Sequence, residues 1–104
     1  MSTQTRNRNW CFTINNPTTP LDLEGNCKYA VWQLESGEEG TDHYQGYIEF
    51  TSMKSFKQVK ELLGERAHIE RRRGTRKQAR EYCMKEESRK EGPWEVGNFT
   101  QQGQ

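Results

Sequence analysis

Three stretches in which apolar and polar residues alternate constrain this chain more than any other feature. Trp10, Phe12 and Ile14 alternate with Cys11, Thr13 and Asn15. Ala30, Trp32 and Leu34 alternate with Tyr29, Val31, Gln33 and Glu35, and Tyr44, Gly46, Ile48 and Phe50 with His43, Gln45, Tyr47 and Glu49. Side chains of a strand point to opposite faces in turn, so a period of two predicts strands over 9–15, 28–35 and 43–51. Asn16-Pro17 stops the first, because proline has no N–H to donate. The turn-rich stretch 18–27 has room for a short helical turn, and the glycine- and acid-rich stretch 36–42 is a hairpin loop. Only 30% of the 104 residues are hydrophobic, but 11% are aromatic, so the aromatics must carry much of the core of one domain.

Beyond residue 51 the period changes. Ser55-x-x-Gln58 is a capping box ahead of an apolar stripe of Phe56, Val59, Leu62 and Leu63, with Gly64 placed to end the helix. Residues 66–72 return as a strand through Ala67 and Ile69. Thr75-x-x-Gln78 is a second capping box, opening a helix expected over 76–87. Gly92-Pro93 ends that region, and Trp94 and Val96 form a last short strand. The fold class predicted is α+β: a central antiparallel sheet of about five strands, RRM- or ferredoxin-like, with helices packed on one face. No apolar run is long enough to span a bilayer, and the first residues lack the apolar region of a secretory signal. Three irregularly spaced cysteines argue for a reducing compartment over a disulfide framework, and the absence of CxxC or HxxxH spacing argues against zinc.

The formal net charge of +1 conceals two opposed blocks. Residues 22–49 hold seven acids and one base; residues 66–90 hold ten bases and four acids. The basic block suggests a polyanion surface, the acidic one a solvated loop or a cation site. Either block taken alone also serves plain solubility.

His43 and Gln45 leave the same face of one strand, and Glu35 ends the strand before the hairpin loop. If the two strands pair, an imidazole nitrogen and two side-chain oxygens meet near the loop, a donor set suited to Mg²⁺ or Mn²⁺. On pattern alone, a solvated strand face is the plainer account. Tyr82 and Lys85 lie three apart on one helical face. A phenol can attack a phosphodiester, and an ammonium beside it stabilises the charge that develops; an amphipathic tyrosine beside a solvated lysine fits the same spacing. The run Arg71, Arg72, Arg73, Arg76 and Lys77 suits phosphate contacts or a solvated charge run. Asn15-Asn16-Pro17 is a turn or a nucleic-acid contact. A cation site, a nucleophilic hydroxyl and an anion-binding run together are the parts that metal-assisted phosphoryl transfer needs.

The order of three motifs is more specific than any one of them. Cys11-Phe12-Thr13-Ile14-Asn15-Asn16-Pro17, then His43-Tyr44-Gln45-Gly46-Tyr47-Ile48-Glu49-Phe50, then Tyr82-Cys83-Met84-Lys85 resembles the motif set of the HUH endonuclease domain. More narrowly, it is similar to the replication initiators of circular single-stranded DNA viruses. The stretch from Arg72 through Tyr82 to Glu95 resembles the nanovirus and satellite-like group most, with circoviruses next. The resemblance implies an endonuclease domain over 1–97 and a flexible tail over 98–104, at the start of a linker. A helicase domain usually follows in that family, and no GxxxxGK[ST] loop occurs here.

The resemblance further implies that Glu35, His43 and Gln45 bind a divalent cation, Mg²⁺ or Mn²⁺, with Gln45 standing where the wider superfamily has a second histidine. Glu38 and Glu39 are rivals to Glu35. Tyr82 is implied as the single nucleophile, Lys85 as its aid at the phosphate, and Asn15 as a neighbour of the bound strand. The implied partner is single-stranded DNA at a replication-origin hairpin, nicked and rejoined through a 5′-phosphotyrosine, with the host nucleus as the place of action. Two other classes remain: a non-catalytic RRM-like single-strand binding module, and a structural oligomerisation domain. The first explains the basic half and the aromatics but not the convergence of Glu35, His43 and Gln45 beside Tyr82.

Overall fold

In a computed structural model, which describes residues 6–37 and 40–99, the three alternating stretches pair as the central strands of one sheet. They are β1 (Arg6–Asn15), β2 (Tyr29–Ser36) and β3 (Asp42–Ser55). The chain continues through α1 (Phe56–Leu63), β4 (His68–Arg71), α2 (Arg76–Tyr82) and β5 (Arg89–Gly97). The sheet is antiparallel, in the order β4-β1-β3-β2-β5. The fold class is the α+β architecture expected from the sequence. Among the described residues no helix is long and apolar enough to cross a membrane.

The alternation sorts side chains onto two faces of different character. One face carries Trp10, Phe12, Ala30, Trp32, Ile48 and Phe50, covered by Val59 and Leu63 of α1 and by Leu21 and Leu23 of the 16–28 connection. The other carries Tyr29, Val31 and Tyr47, packed against Cys83 and Ala79 at the α2 end of the chain. The two helices therefore take opposite faces, where the sequence suggested a single one. The reason lies in their stripes. Val59 and Leu63 of α1 are buried, whereas α2 buries no residue and reaches the sheet through polar side chains instead.

Both capping boxes form: Ser55 and Gln58 satisfy each other's backbone N–H at α1, and Thr75 and Gln78 do so at α2. Several boundaries differ from expectation: β1 begins earlier, at Arg6, β3 runs on to Ser55, and β4 is confined to His68–Arg71. The helix predicted over 76–87 ends at Tyr82, where the Cys83 and Met84 N–H groups tighten onto the Arg80 and Glu81 carbonyls; beyond it the Lys85 carbonyl accepts from the Gln33 side chain of β2. The last strand runs from Arg89 through Gly92-Pro93 to Gly97; as an edge strand it tolerates a residue without an N–H. Residues 18–27 form turns without a helix. The tail expected over 98–104 lies outside the described residues from 100 onward.

Gly46 sits opposite Phe12, whose ring fills the space a side chain would take; a Cβ there would lie 2.0 Å from Phe12 Cζ. Overpacking of this kind costs about 1–3 kcal/mol. Gly46→Ala is therefore expected to lower the urea midpoint without changing the denaturant slope. An unchanged midpoint would contradict this packing.

Candidate active site

Pairing of β2 with β3 sets Gln33 opposite Gln45 and Glu35 opposite His43. All four belong to the alternate face, the one α2 covers. Glu35 is only 2% exposed, and its carboxylate lies 3.2 Å from His43 Nε2. Lys85 Nζ donates to both Glu35 oxygens, at 2.9 and 2.8 Å, and Gln33 Nε2 donates to Glu35 Oε2 at 2.8 Å. Burial by itself raises the Glu35 carboxyl, but hydrogen bonds from Lys85 and Gln33, with the charges of Lys85 and His43, outweigh it and hold the group below its ordinary range. Glu35 is therefore a carboxylate at neutral pH.

The Gln33 amide has a fixed orientation. Its Nε2 also donates to the Lys85 carbonyl at 2.8 Å, while its buried Oε1 has no hydrogen-bond partner among the described residues. Gln33 thus ties the segment after α2 to the strand that bears Glu35. Sequence reasoning placed it on the correct face and assigned it no role, because a glutamine at that position reads equally well as a solvated one. Gln45 is held loosely, with Thr13 Oγ1 donating to its Oε1 at 3.4 Å and its Nε2 donating to the Phe12 carbonyl at 3.5 Å.

Tyr82 ends α2 and is 56% exposed, the most open of the four tyrosines. Lys85 Nζ lies 3.9 Å from its ring centroid, so this one ammonium is shared between Tyr82 and Glu35. Tyr82 and Gln45 line a groove of about 390 Å³ together with Thr13, Arg72 and Gln78. Cys83, next to the tyrosine, is buried, and burial pushes its thiol well up, which fits a packing role and not a nucleophile.

Because α2 buries no residue, charge holds it in place. Arg76 forks onto Glu49, with both nitrogen–oxygen distances at 2.9 Å. Arg72 donates to the Tyr47 hydroxyl at 2.8 Å, and that hydroxyl donates to Glu49. Arg80 donates to the Tyr29 hydroxyl at 2.9 Å and to Glu95 at 3.0 Å. The Phe99 ring stacks over the guanidinium groups of Arg76 and Arg80, at 4.1 and 4.8 Å. Burial, then acidic hydrogen-bond partners, push the Tyr29 and Tyr47 phenols well above their ordinary range.

The structure thus brings Glu35, His43, Gln45, Tyr82 and Lys85 to one part of one face. Asn15 pairs with His43 in register at the exposed end of β1, and its carbonyl accepts from Arg66 at 2.8 Å. The basic run divides. Arg71, Arg73 and Lys77 are exposed, whereas Arg72 and Arg76 are engaged by Tyr47 and Glu49. Glu38 and Glu39 lie outside the described residues. The donor set fits a divalent cation. Cis ligands of an octahedral ion at ~2.1 Å stand about 3 Å apart, close to the 3.2 Å between Glu35 Oε1 and His43 Nε2. Among the described residues no three His, Cys, Asp or Glu side chains converge, and the Gln45 amide oxygen is the further donor that this face could offer.

Residues 7–86 match the family described as "Putative viral replication protein". The chain is 54% identical over 92 residues to the master replication protein of subterranean clover stunt virus, covering 88% of this chain and 32% of that protein. It is 50% identical over 90 residues to the master replication protein of banana bunchy top virus, covering 86% and 31%. It is 39% identical over 97 residues to Para-Rep C1 of faba bean necrotic yellows C1 alphasatellite, covering 91% and 34%. The chain therefore spans about a third of the length of the curated relatives it matches.

Glu49 gives a pH test of the polar mounting of α2. Burial raises its carboxyl, and hydrogen bonds from Arg76 and Tyr47 outweigh burial and hold it below the ordinary range. The pair's stabilisation is present above the unfolded glutamate value of about 4.3 and is lost as pH falls through the lower folded value. Glu49→Gln is expected to cost about 1–3 kcal/mol near neutral pH. The gap between wild type and variant should close as pH drops below about 4. Thermal melts across that range check this, and a gap independent of pH would contradict it.

Proposed function

Because this chain belongs to the viral replication protein family, we propose that it is the nicking and joining part of a replication initiator, a single-tyrosine endonuclease acting on single-stranded viral DNA. The observation that carries this reading is the shared ammonium of Lys85, within reach of both the exposed Tyr82 ring and the buried Glu35 carboxylate. This supports a reading in which a nucleophile, its charge partner and a cation-binding set act in one place.

In this reading the scissile strand lies in the groove between Tyr82, Gln45 and Arg72. Glu35, His43 and Gln45 hold Mg²⁺ or Mn²⁺, which when bound supplies Lewis-acid polarisation of the scissile phosphate. The Tyr82 oxygen attacks phosphorus, and its proton passes through solvent to the departing 3′ oxygen. The bond from phosphorus to the 3′ oxygen breaks, and that oxygen leaves as a 3′-hydroxyl. The product is a 5′-phosphotyrosine, which conserves the phosphodiester for a later attack by a 3′-hydroxyl that rejoins the strand. Lys85 stabilises the phenolate and the phosphate charge, and Gln33 keeps the Lys85 segment against β2. Exposed Arg71, Arg73 and Lys77 hold flanking phosphates. The free 3′-hydroxyl suits rolling-circle synthesis from an origin hairpin, and action in the host nucleus rests on the resemblance alone.

A cleavage assay on single-stranded origin oligonucleotides tests the proposal. Wild type is expected to cut with Mn²⁺ or Mg²⁺ and to stop with EDTA. Tyr82→Phe, which keeps the ring under Lys85, is expected to bind but lose cutting by at least about 10³-fold. Binding without cutting by wild type under every condition would favour a non-catalytic single-strand binding module.

A further inference from the structure

The basic run crosses the edge of the sheet, and its two sides do different things. β4 is an edge strand whose register sets Ile69 opposite Phe12 and Arg71 opposite Trp10, on the α1 face. Arg72 turns to the other face and is engaged by Tyr47. On the α1 side stands Phe56, the first residue of α1, with 49% of its surface exposed. Its ring meets Trp10 edge-on at 6.4 Å, and Lys60 Nζ lies 5.8 Å from its centroid. The Ser55–Gln58 capping box pins the backbone beneath it, so the ring is presented from a fixed position.

Beside Phe56 is a depression of about 420 Å³ with Trp10 and Ile69 in its floor and His68, Arg71 and Arg73 around it. Its one acid, Glu70, lies 3.5 Å from His68. Glu70, Arg71 and Arg73 also line the groove that holds Tyr82, so the two surfaces are continuous around the β4 edge. A rigid, exposed aromatic with a cationic rim is the arrangement that stacks a nucleobase and neutralises its phosphate. The contrast on the same face is instructive. A pocket of about 440 Å³ at Trp32, Tyr44 and Trp94 is equally aromatic, but Asp22, Glu24 and Glu91 surround it, the wrong charge for a polyanion.

We propose that Phe56, with Arg71 and Arg73, is a second contact point for single-stranded DNA, taking a base that flanks the cut after the strand rounds the β4 edge. The proposal rests on the nuclease reading only for the identity of the strand. Its role is affinity and register, not chemistry.

The test measures binding of labelled single strands of about 4 to 16 nucleotides, extended stepwise on each side of the cut site. Wild type is expected to gain affinity at one step of the series. Phe56→Leu, which keeps the apolar contact with Trp10 but removes the π face, should lose that gain by about 5- to 100-fold. It should match wild type on the shortest strands and in cutting them, and Phe56→Trp should restore the gain. Phe56→Leu following the wild-type curve at all lengths would overturn the proposal. So would an equal loss at every length, which signals a structural effect. Failure of wild type to cut any strand leaves the length comparison intact and bears on the nuclease reading alone.

Discussion

The site depends on one buried carboxylate, Glu49. The helix that ends in Tyr82 has no buried residue of its own, so packing of an apolar stripe does not set its position. The two-pronged contact of Arg76 with Glu49 does, reinforced by Tyr47 and Arg72. Such a mount is directional where hydrophobic packing is not: a guanidinium fork meets a carboxylate in few geometries. Arg80, Glu95 and Tyr29 repeat the arrangement one helical turn later, and Phe99 stacks on both arginines. The Tyr82 side chain is thereby carried on a short helix whose orientation is fixed at two points, while Cys83 anchors its end in the smaller apolar cluster.

Two faces of one sheet divide the work. The α1 face is apolar and supplies the core that stabilises the fold. The α2 face buries Gln33, Glu35 and Glu49, an arrangement that is costly unless every charge is paired. The pairing is supplied by Lys85 for Glu35 and by Arg76 for Glu49, with His43 in contact with Glu35 as well. These contacts also resolve the uneven charge of the chain. Glu35, Asp42 and Glu49 from the acidic block meet Lys85, Lys90 and Arg76 from the basic one. Three acids of one block are thereby counter-charges of three bases of the other.

That outcome marks the limit of what the sequence made legible. The strands were readable because period-two alternation reports burial directly, and both helix starts because a capping box is local chemistry. The meeting of Glu35 with His43 followed from hairpin register. Which arginines face solvent did not, since Arg71, Arg72 and Arg73 look alike until β4 has a register and α2 a partner. The path of the chain after α2 and the placing of the helices on opposite faces are tertiary effects: Gln33 captures the Lys85 carbonyl, and an arginine-bearing face replaces an apolar stripe. Gln33 itself lay on the predicted face, but nothing in the sequence distinguished a buried strut from a solvated glutamine.

The central claim is that Tyr82 is the atom-bearing group of the reaction. The most direct measurement is mass spectrometry of wild-type protein trapped on a single-stranded origin oligonucleotide and then digested with nuclease and protease. The account predicts a nucleotide phosphate on the peptide containing Tyr82, joined through its phenolic oxygen. A stable adduct on Tyr29, Tyr44 or Tyr47, or cleavage that proceeds with no protein adduct, would contradict it.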